Sequence, residues 1–364
     1  MKATRLLLTL SALLFSVATH AEPINYQLVP VGNPGNAGDT RAGENTFGKG
    51  SVAYEYQIGK YDVTIGQYTA FLNAVDPSGT NPNSIYNSSM GTNLNIAGIS
   101  YNESAAAGSK YSVIGPFGAI QIPQATAANR PITFVSWFDA ARFANWMTNG
   151  QGGPGTTETG AYTLNNATSG VAPAKTPGAA FYLPNEDEWY KAAFYSPNYG
   201  GVGVPGYYAY ATQSDSAPGN TIGPGTNQAN WITGSGFSVT QLPTLDSSQN
   251  YLTDAGAYTT SASYYGTFDQ SGNVNQWNDL DGLPGSSRGL RGGDWFLNPH
   301  AGFLSSSDSF LAAPSSALNS FGFRLASPVA VPEPSTWVMA AAGLACAAWG
   351  TWRRRLRQAP TLTA

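Results

Sequence analysis

The chain has one cysteine, Cys346, and it sits in an apolar stretch near the C-terminus. Residues 22–330 therefore fold with no disulfide, no thiolate nucleophile and no cysteine metal site. Histidine is nearly as scarce, with only His20 and His300. That excludes a histidine-rich metal centre, and a Ser-His-Asp triad would rest wholly on His300. Six tryptophans lie between the two ends, in a background rich in Gly, Ser, Thr and Asn. Aromatic residues recurring in patterned segments point to a loop-rich extracellular fold, not to a disordered stalk.

The ends set the compartment. Lys2 and Arg5 precede an apolar run from Leu6 to Val17, and Ala18-Thr19-His20-Ala21 offers small residues where a signal peptidase reads. This is a three-part secretory signal with cleavage expected after Ala21. At the other end Val331-Pro332-Glu333-Pro334-Ser335 leads into a mostly apolar stretch from Thr336 to Trp352, followed by Arg353, Arg354, Arg355 and Arg357. As a helix that stretch reaches roughly 25 Å, enough for a thin bilayer. Trp337 near one edge and Trp349 and Trp352 near the other suit the interfaces, and the arginines should stay cytoplasmic. The three parts in this order resemble a PEP-CTERM sorting signal. That resemblance implies recognition of Val331–Ser335 by an exosortase-type enzyme, a tail held in the inner membrane until processing, and a biofilm-forming cell. An ordinary membrane anchor would give the same compartment.

The ends also hide the charge of what lies between them. The formal net charge of −4 includes Lys2, Arg5, four tail arginines and Glu333; without them 11 basic and 20 acidic residues remain, near −9. So acidic a region excludes nucleic acid and anionic lipid, both of which need basic patches, and suits cations, sugars or neutral surfaces.

Three helices are legible. Tyr54–Tyr61 alternates like a strand, and a helix follows from Thr64, with Gln67 completing a capping box and Tyr68, Phe71, Leu72 and Val75 on one face. A second helix starts at Ser136, with Asp139 three residues on and Ala140, Phe143, Ala144 and Met147 inward. In the third, Asn185 caps, Glu188 returns the bond, and Trp189, Ala192 and Ala193 face the core. Residues 149–180 and 196–250 are turn-rich, yet Tyr207, Tyr208, Tyr210, Trp231 and Phe237 argue that they pack. The expected architecture is α+β: a signal peptide over 1–21, an N-terminal segment over 22–51, one loop-rich domain over 52–327 and a sorting signal over 331–357, its span helical.

Several chemical motifs fail on inspection. Gly201-Val202-Gly203-Val204-Pro205-Gly206 matches a dinucleotide-binding pattern, but no strand enters it and no helix leaves it. Asp279-Leu280-Asp281-Gly282 is not an EF-hand, because Pro284 and Leu290 stand where Gly and Glu belong; an irregular calcium site stays open. Glu186, Asp187 and Glu188 are explained by the first turn of a helix, where the macrodipole favours negative charge. His300 with Asp294 or Asp308 lacks the strand–Gly-x-Ser-x-Gly–helix context of a hydrolase.

Six ordered segments carry a second resemblance: Ile58–Thr64, Arg130–Trp137 with Asp139 and Ala140, Phe181–Trp189, Gly272-Asn273-Val274 with Trp277, Leu290–Gly293, and Gly322-Phe323-Arg324. They resemble the formylglycine-generating enzyme, or sulfatase-modifying-factor, family. The resemblance implies an irregular α+β fold related to C-type lectin-like domains, often stabilised by calcium, with Trp137, Trp189, Trp277 and Trp295 filling its core. Active members bind copper through two cysteines soon after the Gly-Gly pair and oxidise a substrate cysteine. Counted from Gly292-Gly293, those places fall at Leu297 and Gly302, which cannot bind Cu(I), so no copper is expected. For calcium, Asn230 with the Trp231 carbonyl and Asp254 resemble one site, and Asn273 with Gln276 a second. Gln276 stands where the family usually has Glu, which weakens a hard-cation site. Alternatively, these polar side chains satisfy buried loop backbone.

The resulting expectation is an exported, non-catalytic binding or structural module, with polysaccharide as its ligand, since aromatic and amide side chains suit sugar faces and hydroxyls. Its rivals are an enzyme of altered chemistry in the same cleft and a formylglycine-generating oxidase.

Overall fold

The computed structural model describes residues 23–115, 127–296 and 299–329. The signal segment, Val331–Ser335, the apolar stretch Thr336–Trp352, the tail arginines and Leu297 lie outside the described residues. Among the described residues no helix is long and apolar enough to cross a membrane.

Local chemistry sets the helix starts. After β1 (Leu28–Val31) and β2 (Tyr56–Gly59), Thr64 caps α1 (Ile65–Val75) in a reciprocal box with Gln67. A single turn, α2 (Ser89–Thr92), precedes a hairpin of β3 (Ile99–Tyr101) and β4 (Tyr111–Val113). Ser136 and Asp139 close the same box on α3 (Trp137–Thr148), and Asn185 and Glu188 close it on α4 (Glu186–Phe194). Each box satisfies two backbone donors that a helix N-terminus would leave orphaned. The inward faces form as the periodicity predicts, with Tyr68, Phe71, Leu72 and Val75 buried on α1.

The strands are short. β5 (Tyr195–Ser196) and β6 (Gly206–Tyr207) pair antiparallel. The largest sheet joins β7 (Asn275–Asn278), β8 (Arg288–Arg291), β9 (Phe310–Ala312) and β10 (Phe321–Gly322) in the order β10-β7-β8-β9, with β10 parallel to β7. β11 (Ala326–Pro328) returns to pair with β2, so β1-β2-β11 brings the two ends of the domain together. The strand expected over 54–61 is thus only four residues long. Lys60 keeps one bond to the Gln27 carbonyl and gives its own carbonyl to Phe268, and the chain turns away.

Between these elements the core is aromatic. Phe143 of α3 packs on Tyr68 and Phe71 of α1 and on Phe323, with ring centroids 5.4–6.0 Å apart. Each such pair adds about 0.5–1.5 kcal/mol beyond area burial. Ala192 of α4 packs with Val31, Tyr56 and Ile58 of the β1–β2 pair. Trp231 and Phe237 are buried, as expected for loops that pack.

Five of the six arginines between residues 23 and 329 are buried as well: Arg130, Arg142, Arg288, Arg291 and Arg324. Arg324 donates through Nε to Gln276 (2.7 Å), through Nη1 to the Gly59 carbonyl (2.9 Å), and through Nη2 to Asp62 (3.0 Å) and the Phe268 carbonyl (2.7 Å). It ties β2 and β7 to loops that no sheet joins. The fully bonded guanidinium of Arg324 does here what a crosslink does in other exported domains.

Candidate functional site

β8 delivers Arg291 into the Gly292-Gly293 turn, where φ is +106° and +69°. A Cβ on Gly293 would lie 2.6 Å from the Phe303 carbonyl oxygen, so the close approach demands glycine. Beyond the turn Asp294 accepts from the Asn275 amide (2.7 Å) and the Phe296 N–H (2.9 Å). Trp295 packs on Tyr251 and Phe296, with centroids 5.6 and 5.0 Å away, and its buried indole N–H has no hydrogen-bond partner among the described residues. Gly302, where the resemblance would put the second cysteine, sits in a short 3₁₀ turn, and its N–H donates to His300 Nδ1 (3.2 Å). His300 therefore caps a turn and packs on Phe303.

The acidic run of α4 is divided among separate partners. Glu186 accepts from Arg291 Nε (3.0 Å) and Nη2 (2.7 Å) and from Lys49. Burial raises its pKa, but the Arg291 and Lys49 charges outweigh this and hold it below the usual range. Asp187 accepts from the Gly50 N–H (2.8 Å), and Glu188 from the Tyr54 and Tyr182 hydroxyls (2.8 and 2.9 Å). Asp279 is committed too, to the Trp137 indole (2.8 Å), the Tyr162 hydroxyl (2.6 Å) and Arg288 (3.2 Å). Burial lifts its pKa to about 6, and the Arg288 charge limits the rise.

Asn230, Trp231 and Asn273, three of the five residues expected to hold calcium, do come together, with the Asn273 side-chain oxygen and the Trp231 carbonyl already accepting hydrogen bonds. Asn230 Nδ2 donates to Asn273 Oδ1 (2.9 Å) and to the Tyr251 carbonyl (3.0 Å), and the Asn273 amide reaches back to the Thr253 carbonyl (3.2 Å). The Trp231 carbonyl accepts from Asn220 Nδ2 and the Ser238 hydroxyl, both at 3.2 Å. Asp254 is 54% exposed and 3.9 Å from Arg130 Nε. Gln276 is fully buried, its Oε1 shared by the Trp189 indole and Arg324, both at 2.7 Å. A cation cannot share the Gln276 amide oxygen with a guanidinium, so Gln276 does not fit as a calcium ligand in this arrangement. Among the described residues no three His, Cys, Asp or Glu side chains converge as a metal group.

One open cleft of about 680 Å³ lies elsewhere, lined by Tyr26, Tyr61, Gln67, Asn129 and Asp254 among others. Sequence reasoning assigned nothing to it except Asp254, since its walls come from segments far apart in the chain.

Fold and turn together define a disulfide-free α+β domain, tied by buried arginines and closed by a Gly-Gly turn. The chain belongs to the sulfatase-modifying factor enzyme 1-like domain family, whose match covers residues 27–329. Residues 330–355 match the PEP-CTERM protein-sorting motif, so the protein is exported toward the cell envelope and handled by exosortase-type machinery. Among solved structures it is similar to Treponema denticola variable protein 1, with 17% identity, TM-score 0.48, and 84% of this chain and 96% of that one covered. It is similar to CarF at 20% identity and TM-score 0.43, covering 84% and 99%, and to PvdO from Pseudomonas aeruginosa at 16% and 0.41, covering 83% and 94%. No curated protein matches the sequence significantly.

Proposed function

We propose that this domain is an exported, non-catalytic binding module whose ligand is a polysaccharide of the cell surface or biofilm matrix. The observation that carries the reading is the absence of thiolate: residues 22–330 contain no cysteine, so the places counted from Gly292-Gly293 as copper positions, Leu297 and Gly302, offer no soft ligand. Cu(I) oxidation of a cysteine needs soft ligands that this chain does not offer there. Every carboxylate of the α4 run is tied to a structural partner, which disfavours altered acid–base chemistry at that place. The wide cleft presents tyrosine and amide side chains, a lining suited to sugar faces and hydroxyls.

Two assays on the full-length protein in mild detergent test this. Incubation with copper and a cysteine-containing sulfatase peptide is expected to yield no aldehyde by mass spectrometry, and a glycan array is expected to show saturable binding. Aldehyde formation would restore the oxidase; a blank array would remove the ligand.

A further inference from the structure

Arg41 is the one arginine between residues 23 and 329 that is not buried; its side chain is 34% exposed. It lines a cleft of about 220 Å³ together with Asp39, Tyr195, Tyr199, Pro205 and Tyr207. Its guanidinium is held rigidly along one edge. Nε donates to both Asp39 oxygens (3.1 and 3.0 Å), and Nη2 donates to Asp39 Oδ2 (2.5 Å) and the Tyr208 carbonyl (3.2 Å). Asp39 is saturated in turn: its Oδ1 also takes the Arg41 N–H (2.9 Å), its Oδ2 the Tyr190 hydroxyl (2.6 Å), and its side chain is 2% exposed. Arg41 Nη1 makes no hydrogen bond with any described residue. The Tyr195 hydroxyl, in the same lining, makes none either.

We propose that this cleft binds a carboxylated sugar ring, the uronic-acid class, with its carboxylate on Arg41 Nη1, its ring against the tyrosine wall and a hydroxyl on Tyr195. The inference rests on the polysaccharide reading above and names the kind of sugar. Three features select that chemistry. A guanidinium only donates, so its free edge asks for an oxygen acceptor, and an anionic one is bound about twice as strongly as a neutral one. Tyr199, 38% exposed and held edge to face on Tyr208 with centroids 4.9 Å apart, gives an apolar surface on which a ring can lie, and the buried Tyr195 and Tyr207 close the floor behind it. The cleft has room for one ring, not for a folded partner. The domain's net charge near −9 repels polyanions in general, so binding depends on this one cation and is local.

The test is isothermal titration calorimetry of the full-length protein in mild detergent against oligogalacturonate, its carboxyl-reduced counterpart and sodium acetate. Oligogalacturonate is expected to bind, and the reduced sugar about tenfold or more weakly. Arg41→Gln is expected to erase that difference. Because Arg41→Gln also frees Asp39, Tyr199→Phe and Tyr199→Ala are run beside it: Phe keeps the ring on Tyr208 and binds oligogalacturonate like wild type, while Ala weakens it about threefold or more. Equal binding of both sugars, unmoved by Arg41→Gln or Tyr199→Ala, overturns the carboxylate pocket while the polysaccharide reading survives. Acetate binding as tightly as the oligosaccharide overturns the sugar assignment. Failure of every saccharide, here and on the array, overturns both.

Discussion

At the scale of single residues, stability is concentrated in charged side chains that the sequence presents as surface. Arginine in a turn-rich acidic chain reads as solvated, and although Arg324 falls in one of the six family-like segments, nothing in its neighbours' chemistry announces that it is buried and Arg41 is not. The partners that bury Arg324 are Gly59, Asp62, Phe268 and Gln276, distant in sequence. Replacing it by Met removes the donor to Gly59, Phe268 and Gln276 at every pH, and where Asp62 is ionised it also leaves a buried charge without its partner, a loss that typically costs about 3–5 kcal/mol. Burial already pushes the Asp62 carboxyl up to about 8, against the pull of Arg324, and the variant pushes it higher. A raised carboxyl contributes stability at low pH that disappears as pH rises through its folded value. Urea denaturation should therefore show Arg324→Met further below wild type at pH 9 than at pH 6. A gap independent of pH would mean that Asp62 does not titrate in this range.

At the scale of elements, what can be read locally forms locally. Thr64 with Gln67, Ser136 with Asp139 and Asn185 with Glu188 each carry a complete start signal within four residues, and α1, α3 and α4 begin there. β7 and β8 read NQWN and RGLR and are buried at every position, so no alternation announces them. Their polar side chains are inside because partners from other segments meet them, as the Trp189 indole meets Gln276. The same logic hid both clefts, whose walls are assembled from segments distant in sequence. Asn185→Ala should cost about 1 kcal/mol, the usual price of a lost N-cap. Asn185→Ser should recover most of that, because serine accepts the Glu188 N–H equally well. The loss stays near one cap because Glu188 keeps its bonds from Tyr54 and Tyr182. Denaturation midpoints of the two variants check this; an equal loss in both would show that the side-chain oxygen contributes nothing.

At the scale of the whole molecule, a domain without crosslinks must balance buried charge against a net charge near −9. Two sets of carboxyls pull its pH dependence in opposite directions. Burial raises Asp139, Asp269 and Asp279 from an ordinary 3.8 to about 6, with neighbouring donors and arginines only partly offsetting it. The folded state holds those protons more tightly, so their contribution is complete below about pH 4 and is lost as pH rises through about 6. Asp39, Glu158 and Glu186 are also pushed up by burial, but Arg41, Arg142 and Arg291 outweigh it and hold them low. Their contribution is present above the unfolded values near 4 and is lost on acidification. Self-repulsion of the ionised surface adds to the loss at higher pH. The melting temperature should therefore be higher near pH 5.5 than at pH 8. Salt should shrink the part of that slope due to surface repulsion and leave the buried part. Asp269→Asn, which removes one raised carboxyl, should flatten the remainder. A melting temperature that stays level from pH 5.5 to 8 would mean that the buried aspartates titrate near their ordinary values, since the arginine-paired carboxyls are ionised in both the folded and the unfolded state across that range.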